Sequence, residues 1–318
     1  MTRLLCPSPA LFSVEVQRQA AKHLDARFGA MNQARFDAVA PTYDAIMVRF
    51  STRIDANVLG ANSKIRAILS PTTGLDHIDL AAARRRGVRL FHLRDRKALL
   101  KTINPTAELA IALMLALLRH LPDALAAVKE GQWRASDFRG HEVAGKTIGI
   151  VGYGRLGRKV ARTARALDMN VIAYDPHIAT LPAFVARCRS LGDLMARADV
   201  VSVHVPLNDA TKGLIGAREI ARMKKDAVLV NTARGAIVAD KALLAALRGR
   251  RIAGAATDVL EGEWKIESAG HPMIAYARRH PNLLITPHIG GATYESVEKT
   301  DMDVLNRYLR WLERNRRR

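Results

Sequence analysis

Short apolar runs alternate along this chain with longer stretches in which apolar residues return every three or four positions. That pattern predicts strands separated by amphipathic helices. In the first third the runs are Leu4-Leu5-Cys6, residues 44–49, residues 64–69 and residues 88–91. Residues 14–28 carry the helical period instead, and Asp79 caps a second helix that continues through Arg86 and stops at Gly87. Strands alternating with helices form a parallel sheet, whose ligands gather beyond the carboxyl ends of the strands. Arg49 and the turn at Thr73 and Gly74 fall at such ends and are candidate substrate contacts.

Across residues 105–121 the pattern loses its polar face, and a helix apolar on nearly every side must be covered by its own core or by a second subunit. Helix resumes over residues 124–129, after Pro122. No Gly, Ser or Pro-rich linker separates the two halves, so this helix is the join.

Residues 146–176 organise the rest. Ile148, Ile150 and Val151 make a short buried strand, Gly152-Tyr-Gly154-Arg-Leu-Gly157 follows, and Val160, Ala161, Ala164 and Leu167 share one helix face before a second strand ends at Asp175. The three glycines differ in what their missing side chain allows. Gly152 permits the sharp exit from the strand, Gly154 lets a pyrophosphate approach the backbone, and Gly157 lets the helix pack close to the sheet. The N–H groups at the helix start suit phosphate. Asp175 is placed to accept the adenine-ribose hydroxyls of NAD and to repel the 2′-phosphate of NADP. Arg155, Arg158 and His177 nearby pull the other way.

The alternation then continues. Strands are expected over residues 200–205, 227–231, 252–257 and 282–286, with Asp240 capping a helix over residues 241–247. Ionisable residues recur just past strand ends: Asp175, His204, Arg234, Asp258, His288. In a doubly wound sheet these ends open on one edge, so Arg234, Asp258, Glu263 and His288 can converge on a nicotinamide bound at the Gly152 turn. Oxidising an alcohol with NAD requires a base, a cation for a carboxylate or developing oxyanion, and a group that tunes the base. His288 suits the proton, Glu263 would favour its charged form, and Arg234 offers a planar fork to a carboxylate. The same residue types also serve as caps and surface groups, and with 10 histidines in the chain the residues alone leave that reading open.

A length of 318 residues accommodates two domains. The formal charge is +20, from 50 Lys and Arg against 30 Asp and Glu. The basic residues are scattered and no nucleic-acid module accompanies them, so they read as solvated surface and nucleic acid is not an expected partner. No run approaches the roughly 18 uninterrupted apolar residues of a membrane span, and the start lacks the apolar core of a signal peptide. No membrane association is expected, and the expected location is cytoplasmic. Cys6 and Cys188 match no metal or redox spacing and read as unpaired thiols, with no metal site.

Five stretches, in this order, resemble the D-isomer-specific 2-hydroxyacid dehydrogenase family, the group that includes phosphoglycerate, glycerate and hydroxypyruvate reductases. They are Gly149-Ile-Val-Gly-Tyr-Gly-Arg-Leu-Gly, Val203-His-Val-Pro-Leu with Thr211, Leu229-Val-Asn-Thr-Ala-Arg-Gly, Ala256-Thr-Asp-Val-Leu through Glu263, and Thr286-Pro-His-Ile-Gly-Gly. The resemblance implies an α/β protein in which a Rossmann-type doubly wound domain, residues 104–290, is inserted into a smaller flavodoxin-like domain made of residues 1–103 and 291–318. It implies an NAD-dependent oxidoreductase that interconverts a small 2-oxo acid and a D-2-hydroxy acid. Arg234 would bind substrate, Glu263 would partner the histidine, and His288 would donate the proton in reduction. Arg155, Leu156, Asp175, Pro206, Thr211, Thr232, Ala233, Asp258 and Gly290 would join the glycines in the cofactor pocket, with Thr73 and Gly74 near the substrate carboxylate.

The chain departs from the family at two places. Trp264 stands where proline commonly follows the catalytic glutamate, and Leu109 replaces the histidine of the Thr-Ala-Glu-His helix motif. Residues 264–272 are expected to reshape the mouth of the cleft. The chain stops at Arg318, short of the regulatory C-terminal domains of some phosphoglycerate dehydrogenases, so feedback control by an amino acid is not expected. Two alternatives stay open: the family's formate dehydrogenase branch, where the histidine's partner is typically an amide, and a dinucleotide-sensing binding protein like the family's corepressors. A homodimer built around the apolar helix is expected.

Overall fold

The computed structural model describes residues 1–263 and 270–316. Trp264 and the rest of the segment up to residue 269, on which the reshaped cleft mouth was expected, lie outside the described residues. The chain divides into two compact units, Met1–Ile103 with Gly291–Arg318, and Asn104–Gly290.

In the first unit, strands β1 (Arg3–Cys6), β2 (Asp25–Phe28), β3 (Ala45–Met47), β4 (Ala67–Leu69) and β5 (Arg89–Phe91) form a parallel sheet in the order β2-β1-β3-β4-β5. This is the flavodoxin-like order. Successive strand residues point to opposite faces. Leu4, Cys6, Ala45, Met47, Ala67 and Leu69 therefore pack on one side, and Leu5, Ile46 and Ile68 on the other. The first face is covered by α1 (Val14–His23) and by α12 (Tyr294–Arg316), whose Val304, Leu305 and Tyr308 are buried there. The other face carries Phe36 of α2 (Gln33–Val39) and Ala82 and Ala83 of α3 (Leu80–Arg85); α4 (Lys97–Lys101) follows β5.

Residues 14–28 are not one helix as expected. The chain turns extended at Leu24 (φ −135°, ψ 156°), and residues 25–28 pair with β1 as an edge strand. Asp25 and Arg27 face solvent while Ala26 and Phe28 lean on the core, a period of two that overrides the helical reading.

In the second unit, β6 (Thr147–Val151), β7 (Asn170–Tyr174), β8 (Val185–Arg187), β9 (Val200–Val203), β10 (Val228–Asn231), β11 (Gly254–Thr257) and β12 (Leu283–Ile285) form a wholly parallel sheet. Its order is β12-β11-β10-β9-β6-β7-β8. The winding direction reverses between β6 and β9, which is the position where such sheets bind ligands. One face packs on α5 (Pro105–Leu118) and α7 (Arg155–Ala166), with α6 (Leu121–Lys129) following α5. The opposite face packs on α8 (Leu191–Arg197), α9 (Ala217–Ile220), α10 (Asp240–Arg248) and α11 (Pro272–Ala277).

The cover for the apolar helix α5 lies within its own unit, where Ala107, Ala110, Ile111, Leu113, Met114, Leu117 and Leu118 are buried against the sheet and α7. Residues 97–118 have the length and mean hydropathy, 1.3, of a membrane-crossing helix. Residues 102–104 nevertheless interrupt the helix, and α5 spends its apolar surface on the core. The exposed apolar stripe is one helix further on: Leu121, Leu125 and Val128 of α6 are 45%, 63% and 51% exposed.

Asp240, expected as a cap, is instead the first residue of α10; the cap position is Ala239 and no side chain caps the helix.

Candidate active site

The carboxyl ends of β7, β6, β9, β10, β11 and β12 lie side by side on one edge of the second sheet. Reading along that edge gives Asp175, the glycine turn, His204 with Pro206, Thr232 to Arg234, Asp258 to Glu263, and His288.

At β6 the chain leaves the strand through Gly152 at φ 90°, a left-handed conformation that disfavours a side chain. A Cβ at Gly157 would lie 2.2 Å from the Gly152 carbonyl oxygen, so only glycine lets α7 start this close to the strand. Gly154 precedes α7, and a Cβ there would meet nothing within 4 Å, which leaves the helix start open to an anion. Asp175 is held by two backbone donors: Tyr153 N–H to Oδ2 at 2.8 Å and His177 N–H to Oδ1 at 2.9 Å. The second strand's acid is thus tied to the turn that would cradle the pyrophosphate. Arg158 lies on the Tyr153 ring, 5.1 Å from its centroid, and its Nε donates to the Tyr153 carbonyl.

Two buried side-chain atoms on the neighbouring strand ends have no partner among the described residues, His204 Nδ1 and Thr232 Oγ1. Such atoms cost free energy unless a ligand or water meets them. Together with the open helix start and Asp175, they fit a polar, phosphate-bearing nucleotide along this edge. His204 Nε2 pairs with Ser202 Oγ at 2.8 Å, and burial lowers the pKa of His204 to about 4, which keeps the ring neutral. Thr211 Oγ1 donates to the Pro206 carbonyl at 2.6 Å and closes the turn after β9.

On the other half of the edge, His288 Nδ1 lies 2.6 Å from Glu263 Oε1, the two residues having been brought together from the ends of β11 and β12. Both side chains are largely buried, at 16% and 21% exposure. His288 has φ 54°, a left-handed conformation that costs a non-glycine residue energy and has to be enforced by its surroundings. Asp258 enforces it. Its carbonyl accepts the His288 N–H at 2.9 Å, and its carboxylate accepts the Thr286 hydroxyl at 2.6 Å, Ile289 N–H at 2.8 Å and Gly290 N–H at 2.7 Å. Burial raises the Asp258 pKa, and these donors with His288 oppose the rise. Asp258 and Gly290, both expected in the cofactor pocket, bond to one another in the turn that carries His288.

Arg234 follows β10 with its Nη1 on the Ala233 carbonyl at 2.8 Å. Asn231, not singled out in the sequence, bridges this turn by donating to the Arg234 carbonyl and accepting from Ala233 N–H, both at 3.0 Å. Its signal was available, since an Asn ending a buried strand before Thr-Ala-Arg-Gly is a turn former.

The remaining candidates belong to the first unit. Thr73 and Gly74 lie in the turn after β4, where Arg94 Nε donates to the Thr73 carbonyl and Thr72 Oγ1 to the Gly74 carbonyl. Arg49, expected as a substrate contact, follows β3, and its buried Nε has no hydrogen-bond partner among the described residues. It is 8% exposed, its Nη2 meets Asp301 Oδ1 at 2.5 Å, and its guanidinium lies over the Phe12 ring.

The family model described as "D-isomer specific 2-hydroxyacid dehydrogenase, NAD binding domain" matches residues 111–290. A D-3-phosphoglycerate dehydrogenase of Synechocystis sp. is 35% identical over 92% of this chain and 50% of its own length. The hydroxypyruvate reductase of Thermotoga maritima is 32% identical over 86% of both chains. The chain spans about half the length of the curated phosphoglycerate dehydrogenases it matches. Among solved structures, a D-lactate dehydrogenase from Aquifex aeolicus, in complex with NAD and lactic acid, superposes with a TM-score of 0.84 at 25% identity, covering 98% of this chain and 96% of that one. With its NAD-binding domain matched over this length and a relative 32% identical over 86% of both chains, the protein belongs to the D-isomer specific 2-hydroxyacid dehydrogenase family.

Proposed function

We propose that this protein is an NAD-dependent oxidoreductase that interconverts a small 2-oxo acid and the corresponding D-2-hydroxy acid. The observation that carries the reading is the 2.6 Å contact between His288 Nδ1 and Glu263 Oε1 on the edge of an NAD-binding sheet. A carboxylate at Nδ1 fixes the proton there and orients the ring, so the proton exchanged with substrate travels through Nε2. The cofactor, when bound, would supply the hydride as NADH in reduction and take it as NAD in oxidation. In reduction His288 gives its Nε2 proton to the oxygen at C2, and Glu263 stabilises the imidazolium that must precede that step. Arg234 holds the substrate carboxylate and offsets charge developing on the oxygen. The Glu263 carboxylate also argues for an acid-base step over the formate reading, in which no proton has to be moved.

On the cofactor side, Asp175 selects NADH, the helix start at Gly154 takes the pyrophosphate, and Arg155, Leu156, Pro206, Thr211, Thr232 and Ala233 line the pocket. Thr73 and Gly74 are assigned to the substrate carboxylate, and Arg49 stays a candidate substrate contact. A second copy of the chain covers the α6 stripe. Pyruvate and hydroxypyruvate, presented with NADH, are the first substrates to assay by loss of nicotinamide absorbance. Turnover of one of them, or of another small 2-oxo acid, is the expected result. NADH binding without turnover of any 2-oxo acid would refute the enzymatic reading in favour of a dinucleotide-sensing protein.

A further inference from the structure

Outside the residues given roles above, one buried carboxylate in the second unit has no function assigned. Asp240 opens α10 but caps nothing. Its carboxylate accepts a hydrogen bond from the backbone of Glu261, and its Oδ2 lies 3.5 Å from His271 Nε2. The other ring nitrogen, His271 Nδ1, accepts Met273 N–H at 3.3 Å and caps α11. The imidazole is thus gripped on both sides. Both side chains are mostly buried, at 19% exposure for Asp240 and 15% for His271.

Glu261 stands two residues before Glu263 on one short loop, and Leu260 N–H of that loop donates to Glu263 Oε2 at 3.4 Å. The loop also seats on the turn after Arg234, where a Cβ at Gly235 would lie 2.0 Å from the Leu260 carbonyl carbon. Asp240 therefore joins the helix that follows Arg234, the loop that bears Glu263 and the start of α11. We infer that Asp240 and His271 are a positioning pair that holds Glu263 in register with His288, acting through the backbone of the loop and touching no substrate. The inference rests on the reading of Glu263 as the partner of His288.

A hydrogen-bond acceptor alone would not need to be charged, because an amide would accept the Glu261 N–H without the penalty of burying an anion. That penalty is visible: burial raises the Asp240 pKa to about 6, the His271 side chain lowers it and the Glu261 side chain raises it. Among the described residues these two side chains are the ones that bear on it; Lys241, next in sequence, is exposed. Below this pKa Asp240 takes a proton and becomes a weaker acceptor both for Glu261 and for His271 Nε2, 3.5 Å away. Reduction then loses rate on the acid side. His288 as proton donor removes rate only on the alkaline side, so the two limbs belong to different residues. The linkage sign separates this from a purely structural role. A carboxyl whose folded pKa is raised contributes stability below its unfolded pKa, about 4, and that contribution is lost as pH rises through about 6.

The test is Asp240→Asn, with His271→Asn beside it. Asp240→Asn is expected to lower kcat about 10- to 100-fold, to flatten the acid limb and to leave the alkaline limb and NADH affinity alone. Its Tm near pH 8 should not fall, because no buried charge is lost that favoured the fold there. His271→Asn can keep the helix cap but removes the Nε2 group beside Asp240, so the acid limb should move to higher pH. The Glu261 amide, followed by NMR in the full chain without substrate, should titrate with a midpoint about 6 in the wild type and not at all in Asp240→Asn. A Glu261 amide that ignores pH, or an Asp240→Asn variant with unchanged kcat and acid limb, overturns the inference. Absence of turnover with every 2-oxo acid overturns the proposed function instead, because the amide titration requires no substrate.

Discussion

The backbone N–H of His288 donates to the carbonyl oxygen of Asp258 at 2.9 Å, and the carboxylate of the same aspartate gathers the next donors of the turn. A histidine at φ 54° is kept there by a residue 30 positions earlier in the chain. Asp258→Ala should leave Ile289 N–H, Gly290 N–H and the Thr286 hydroxyl without their acceptor. The expected cost is about 1–3 kcal/mol of stability in a urea titration. The kcat should fall with it as the histidine turn relaxes, and unchanged kcat would mean that the conformation of His288 does not depend on Asp258.

The roles proposed for the three polar side chains predict different kinetic signatures. His288→Ala should lower kcat by roughly 10²- to 10⁴-fold, because acid-base transfer is expressed in the transition state. Arg234→Ala should raise KM and lower kcat together, since one guanidinium serves both the bound carboxylate and the developing charge.

Glu263→Gln should keep reductase activity at low pH and lose it earlier as pH rises. Removing the carboxylate removes its stabilisation of the imidazolium, so the proton donor is depleted sooner. The alkaline limb of kcat/KM is the observable, and a limb that does not move would separate Glu263 from proton transfer despite the 2.6 Å contact.

Cofactor preference tests the other half of the edge. Asp175 is pinned by Tyr153 and His177 N–H groups, so it cannot easily swing away from a 2′-phosphate. NADH should bind more tightly than NADPH in a fluorescence titration, and Asp175→Ser should narrow the gap. Equal affinities in the wild type would move attention to Arg155 and Arg158.

How much of this was legible in the sequence depends on whether the cause was local. The glycine turn, the strands around it and the alternation into two sheets follow from local steric and apolar patterns. The pairing of Glu263 with His288 could be anticipated from residue type at strand ends. The left-handed backbone of His288 could not, because it is imposed by Asp258 from another strand. Strand β8, with only Val185 buried, carried too weak a pattern to be expected. Asp240 looked like a helix cap because aspartate commonly is one, and nothing near Arg49 in the sequence announced its carboxylate partner. In both cases the deciding partner, Glu261 with His271 or Asp301, lies far away in sequence.

Self-association should depend on α6. Leu121, Leu125 and Val128 recur at helical spacing on its exposed side, with Trp133 beyond them at 88% exposure. Leu125→Asp should convert a dimer to a monomer by light scattering without changing the far-ultraviolet circular dichroism. A wild-type monomer at micromolar concentration would end the dimer proposal.

The Arg49–Asp301 pair makes a prediction about stability. Asp301→Ala strands a guanidinium that is 8% exposed, and breaking one side of a buried pair costs about 3–5 kcal/mol. Chemical denaturation that shows a loss well under this would mean that water reaches Arg49 in solution.

Arg49 and its carboxylate are 252 positions apart, and the helix that brings Asp301 also brings Val304, Leu305 and Tyr308 to the sheet at β4 and β5. At a translation rate of about 5–20 residues per second, roughly 13–50 s pass between the two ends of that contact. The second unit, continuous in sequence, can close during this interval, while the earliest-made sheet waits with one apolar face covered by α1 alone. On the ribosome the order of completion is therefore the reverse of the order in which the units begin. The nascent chain most exposed to chaperones or to aggregation is the part synthesised first.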